Sequence, residues 1–163
     1  MSIEIYNKDN PPSADILDLI GWTRYVINRQ IGSTFKPKTG SKFFSNLVAV
    51  AANSGNLSVF RDDQNGKIRG YCAWYHNPDR NITYIHDLYA LKHIKTTPVG
   101  TPLLNLVKDR AAALNHYAIE LEASDYCIET AFYKNRGFVF KGTDDCDATA
   151  QTMAWYVSGK RHL

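Results

Sequence analysis

The run Ile82-Thr83-Tyr84-Ile85-His86-Asp87-Leu88-Tyr89-Ala90-Leu91 decides how the rest of the chain is read. Its β-branched and aromatic residues predict a strand. Upstream lie two shorter β-like runs, Leu57 to Phe60 and Ile68 to Tyr75. Between them stands Asp62-Asp63-Gln64-Asn65-Gly66, whose Asn-Gly pair supplies the positive φ values of a tight hairpin. Asn77-Pro78-Asp79-Arg80-Asn81 is a second turn, so three antiparallel strands in succession end on the 82–91 run. Downstream the pattern changes to a helix from Thr101 to Asn115, a strand from Ala118 to Ala123, a helix from Cys127 to Arg136, a strand from Phe138 and a last β-like run from Thr152 to Val157.

The 82–91 strand therefore joins an antiparallel half to a more parallel half. The expected fold is α+β, an α/β mixed sheet of about six to seven strands flanked by about four helices. A junction of this kind leaves a crevice, and crevices bind ligands. Towards the N-terminus, Ile3 to Tyr6 reads as a first strand. Ser13 is placed to cap a helix carrying Ile16, Leu19, Ile20, Thr23, Val26 and Ile27 at helical spacing, with Gly32 at its stop. Ser41 is read as the cap of a second helix with Phe43, Phe44, Leu47, Val48 and Ala51 on one face.

At 163 residues the chain is expected to form one domain, 1–163, with a substantial core. A formal net charge of +3 does not argue for nucleic acid as a partner and tolerates an anionic ligand. Cys72, Cys127 and Cys146 form neither a disulfide framework nor a zinc pattern, and His93 and His116 stand at no metal-ligand spacing. No metal is expected. No apolar run approaches the roughly 18 residues of a membrane span, and the first residues lack a signal pattern. The expectation is a reduced, cytoplasmic protein with no membrane partner.

Lys95-Thr96-Thr97-Pro98-Val99-Gly100 opens a helix, with Thr101 read as its cap and Pro102 as its first residue. Leu103, Leu104, Val107, Ala111 and Leu114 are its apolar face. Unpaired amides and a partial positive charge at such a start hold phosphate, and Lys95 adds a full charge. Every helix has such an end, and most bind only water.

The stretch from Tyr84 to Gly100, followed by Phe132-Tyr133-Lys134-Asn135-Arg136-Gly137-Phe138, resembles the GCN5-related N-acetyltransferase superfamily, nearest to its diamine (polyamine) acetyltransferase branch. In element order the resemblance covers nearly the whole chain. It implies an N-acyltransferase that moves an acetyl group from acetyl-CoA to an acceptor amine by direct attack in a ternary complex. In that family an Arg/Gln-x-x-Gly-x-Gly/Ala loop holds the CoA pyrophosphate on its backbone amides. Lys95, Pro98, Val99, Gly100 and Thr101 fall on this loop and the helix start behind it. Gly100 keeps the last glycine and Lys95 the charge, while Pro98 replaces the middle glycine and contributes no amide. Phe132-Tyr133 and Gly137-Phe138 match a family FY-x-x-x-GF signature. Tyr126 stands seven residues ahead of Tyr133, where the family often has asparagine.

The resemblance makes Tyr133 the proton donor to the departing CoA thiolate; without it, Tyr133 reads as a core tyrosine with a polar tip. His86 occupies the place of the branch's glutamate base, and a histidine accepts an amine proton at neutral pH. Asp87, on the opposite face of a regular strand, is the other candidate. The backbone of Leu88, Tyr89 and Ala90 is implied to pair with the pantetheine arm and polarise the thioester. Trp74, Tyr75 and Tyr84, with His76, gather near the Asn77–Asn81 turn as an acceptor pocket or as ordinary cross-strand pairs. Family members often dimerise, so a homodimer is compatible with the resemblance. Two other readings stay open: a catalytically degenerate module of the same fold, to which Pro98 and Tyr126 point, and an acyltransferase acting on a protein or tRNA-linked amine.

Overall fold

The computed structural model describes residues 2–33, 35–63, 65–91, 98–123, 127–141 and 151–157. In order they form β1 (Ser2–Tyr6), α1 (Ala14–Gln30), α2 (Ser41–Ser54), β2 (Asn56–Arg61), β3 (Ile68–Asn77), β4 (Ile82–Ala90), α3 (Gly100–Ala113), β5 (Ala118–Ala123), α4 (Cys127–Lys134), β6 (Val139–Phe140) and β7 (Gln151–Tyr156). The strands make one seven-stranded sheet in the order β1-β2-β3-β4-β5-β7-β6. The mixed fold with four helices matches the expectation from the sequence.

β1 pairs antiparallel with β2, and β2 with β3. β3 and β4 are neighbours joined by the 78–81 turn, where Asn81 takes a φ of 55°. β4 then pairs parallel with β5, from Ile82↔Ala118 to Ile85↔Leu121. The second half of the sheet is less parallel than the sequence implied, because β5 pairs antiparallel with β7 and β7 antiparallel with β6. β6 is only two residues long and sits at the edge. β7, whose Met153 and Ala154 are fully buried, takes the place beside β5. Short strands suit edges, and apolar strands buried on both faces suit the middle.

The chain divides into two compact units, Met1–Tyr75 with Asp87–Leu106, and His76–His86 with Val107–Leu163. The first has a core of Ile20, Val48, Ala52, Leu57, Val59, Ile68, Tyr71 and Ala73, against which Tyr6 and Tyr89 pack. Ser13 caps α1 as expected, its hydroxyl accepting from the Ile16 amide at 3.2 Å. α2 differs: its cap is Gly40 (φ 60°), a conformation costly for a residue with a Cβ, and Ser41 is the first helical residue. The second unit is built on β5, buried at every position except Glu122. Leu103, Leu104, Val107 and Ala111 of α3 are buried as expected. Leu114 is exposed, because α3 ends at Ala113 and the chain turns away at Asn115 (φ 56°). Among the described residues no helix is long and apolar enough to cross a membrane.

Candidate active site

The end of α4 is built by its own sequence. The Phe138 amide donates to the Tyr133 carbonyl at 3.1 Å and the Gly137 amide to the Lys134 carbonyl at 3.1 Å. Gly137 has a φ of 92°. This is the six-to-one, five-to-two pattern of a Schellman cap, and the accompanying apolar contact is Tyr133 against Phe138, rings 5.4 Å apart. Phe132 meets Tyr133 edge-on at 5.2 Å. The motif's tyrosine, glycine and second phenylalanine thus form one local device that fixes the Tyr133 ring, itself buried. Lys108 reinforces it, donating to the Arg136 carbonyl at 2.6 Å. Burial and the neighbouring Arg136 lower the Lys108 pKa. Arg136 folds back onto the Phe132 ring at 3.7 Å and donates to the Phe132 carbonyl.

In the first unit, Asp87 to Ala90 of β4 are half-buried. Gly70 of β3 lets the neighbouring chain come close: a Cβ there would lie 2.6 Å from the Tyr89 carbonyl and 2.9 Å from Val99 Cγ1. That approach seats the chain leading into α3. Val99 is buried, Pro98 is exposed, and the helix starts at Gly100, so Thr101 lies within it rather than capping it. Pro98 and Pro102 bring no amide to this start, while Val99, Gly100 and Thr101 do. Lys95 and Tyr126 lie outside the described residues.

Regular alternation puts Asp87 on the side of β4 that Tyr89 shares, and His86 on the other. Tyr89 stacks on Tyr71 at 5.7 Å, and the Arg24 guanidinium lies 3.3 Å over the Tyr89 ring. Arg24 also donates to the Tyr71 hydroxyl at 2.6 Å. Burial, assisted by the Asp87 carboxylate, pushes up both the Tyr71 hydroxyl and the Cys72 thiol. His86 is exposed. Trp74 is buried, with its indole N–H donated to Ser58 Oγ at 2.9 Å; Tyr75 is exposed, and Tyr84 is half-buried.

The sequence model of the acetyltransferase (GNAT) family matches residues 33–138, a span that includes β4, the start of α3 and Tyr133 through Phe138. The chain belongs to this family. Among curated proteins no significant relative was found. Solved structures share the fold at low identity. The PaiA N-acetyltransferase from Thermoplasma acidophilum, in complex with coenzyme A, aligns at a TM-score of 0.72 and 14% identity, covering 96% of this chain and 99% of that one. An aminoglycoside 6'-acetyltransferase type Ii gives 0.71 and 15%, covering 96% and 97%. Tetrahymena GCN5 gives 0.67 and 18%, covering 96% of each.

Two polar clusters in the second unit of this GNAT chain have no short-range signature. Glu120, buried in the middle of β5, receives Arg80 Nη2 on both oxygens at 3.1 and 3.0 Å, and Lys141 Nζ on Oε2 at 2.7 Å. The ion pairs tie the 78–81 turn and the end of β6 to the central strand. His76 Nδ1 and His116 Nδ1 both reach Thr83 Oγ1, at 3.0 and 2.8 Å, with their rings perpendicular at 4.7 Å. Burial lowers both histidine pKa values, and His116 lowers that of His76 further. His116 is delivered by the end of α3, where the His116 amide donates to the Ala111 carbonyl and Asn115 takes the glycine position of another Schellman cap. The only sequence signal for this cluster was the run of His, Thr and turn residues, which carries no pairing information. Among the described residues no three His, Cys, Asp or Glu side chains form a metal-binding group.

Proposed function

We propose that residues 1–163 act as one acyl-CoA-dependent N-acyltransferase domain, passing an acetyl group from acetyl-CoA to a primary amine by direct attack in a ternary complex. The observation that carries this reading is the family match over 33–138, which takes in both the helix start after β4 and the glycine-capped end of α4. On this reading the amides of Val99, Gly100 and Thr101, with Lys95, hold the pyrophosphate. The backbone of Leu88, Tyr89 and Ala90 pairs with the pantetheine arm and stabilises the oxyanion. His86 takes the amine proton, directly or through water, with Asp87 as the alternative base. Tyr133 gives a proton to the leaving thiolate, and Tyr126 flanks the cofactor. The motifs stand nearest the diamine acetyltransferase branch, but they lie on the CoA side and do not encode the acceptor's charge.

A catalytically degenerate binding module is the second reading. It is favoured by one feature, the two prolines that remove amides from the helix start. Calorimetric titration with acetyl-CoA and desulfo-CoA separates the two. Micromolar binding followed by CoA release on adding amines supports the enzyme. No binding at millimolar acetyl-CoA overturns it.

A further inference from the structure

The last turn of α1 and the loop behind it form a cavity of about 270 Å³ lined by Tyr25, Asn28, Arg29, Ser33, Phe35 and Lys36. Its rim is built by specific contacts. Ile31, Gly32 and Ser33 amides donate to the carbonyls of Ile27, Arg29 and Asn28, and Gly32 takes a φ of 72°. The Phe35 amide donates to Ser33 Oγ at 3.2 Å, and the Phe35 ring packs edge-on against Phe43 at 5.3 Å and Phe44 at 6.3 Å. The carbonyls of Ile27, Asn28 and Arg29 are therefore engaged, and the side chains bring two cations and two aromatic faces to the cavity.

The charge around it is one-sided. Between Asp18 and Asp62 the chain carries no Asp or Glu, and over the same stretch it carries Arg24, Arg29, Lys36, Lys38, Lys42 and Arg61. Lys42 is paired with Asp18, and Arg61 with Glu4. Arg24 is held by Tyr71 and Asn28. Arg29 and Lys36 have no carboxylate partner among the described residues. A polyamine entering this cavity would meet its own sign of charge, whereas a carboxylate would meet two cations, one of them capable of a bidentate grip. Two side chains in relay link the cavity lining to the candidate thioester strand. Buried Asn28 accepts from Arg24 Nε at 3.0 Å, and Arg24 covers Tyr89 of β4.

We propose that the acceptor is a small amine bearing a carboxylate on an apolar body, an amino-acid-like ligand whose carboxylate pairs with Arg29 and Lys36 while its apolar part lies on Tyr25 and Phe35. This rests on the acyltransferase reading above and names its acceptor class. At about 270 Å³ the cavity lies just below the roughly 300–1,000 Å³ of drug-sized ligand sites, which suits a single amino-acid-sized molecule.

Three probes test it in the absence of CoA: phenylalanine, phenylalanine amide and spermidine, each titrated calorimetrically into the full chain. Phenylalanine is expected to bind at least about fivefold more tightly than its amide, a preference that shrinks as salt is raised. In the double variant Arg29→Gln, Lys36→Gln the ratio falls to about one while the thermal midpoint stays in place, since both side chains are exposed. Equal binding of acid and amide, tighter binding of spermidine, or binding of none of the three overturns the proposal. A parallel titration with acetyl-CoA keeps the two readings apart, because its failure breaks the acyltransferase reading without altering the acid-to-amide ratio.

Discussion

The start of α3 and the end of α4 are both short motifs at helix termini, and they are built in opposite ways. At the end of α4, Gly137 and Phe138 close the helix with their own amides, and Phe138 packs on the tyrosine that the motif presents. At the start of α3 the local amides are depleted by Pro98 and Pro102, and Val99 is seated by a distant residue, Gly70 of β3. The contrast teaches that a self-contained terminus survives reading residue by residue. A terminus that depends on a remote strand does not.

The sharpest way to break the comparison is to remove only the chemistry from the α4 end. Tyr133→Phe keeps the ring packing, so acetyl-CoA affinity should hold while kcat falls by about 10²-fold or more. A loss of binding instead would make Tyr133 structural. At the α3 start the equivalent blow is Gly70→Ala, whose new Cβ would press on the Tyr89 carbonyl and Val99. Denaturant unfolding should show a loss of about 1–3 kcal/mol, together with weaker acetyl-CoA binding.

Gly137→Ala probes the α4 cap itself. It forces a Cβ into the left-handed region, 3.2 Å from Trp155 Cδ1, and should cost about 1–2 kcal/mol in the same measurement. Stability unchanged by this substitution would remove the cap from the argument.

A smaller effect comes from His76 and His116. Burial depresses both pKa values, so the folded state resists protonation that the unfolded chain accepts near pH 6.5. Stability is therefore complete above that pH and declines as pH falls from about 6.5 towards the depressed folded values. The thermal midpoint should drop over this window, and His116→Asn should flatten the decline. An unchanged slope in the variant would place the proton uptake elsewhere. The smallest expected change is Pro98→Gly, which restores an amide to the α3 start. A tightening of acetyl-CoA binding by about two- to fivefold would show that the missing donor limits the loop.

Much of this was legible before any coordinates. The Ser13 cap, the α4 ending and the element order through β5 all rest on interactions between residues close in sequence, where residue type and spacing carry the information. The misreadings are equally physical. Leu114 kept helical spacing one residue past the true end, and Ser41 looked like a cap although Gly40 supplies the turn. Exposed Leu19, Phe43 and Leu47 share the spacing of buried neighbours, which periodicity cannot separate.

By itself the sequence determined the alternation of strands and helices, the family resemblance and the local device around Tyr133, because each is written in runs of a few residues. Tertiary structure alone decided that β7 enters beside β5, that Glu120 receives Arg80 and Lys141, and that Thr83 is shared by two histidines. It alone gathered Arg29 and Lys36 around an aromatic cavity at the α1 end. The Glu120 pairs with Arg80 and Lys141 and the Thr83 pair with His116 join residues 40, 21 and 33 positions apart. Their partners are chosen by which buried polar group must be satisfied and which apolar strand can be covered, a condition set by the packed chain as a whole.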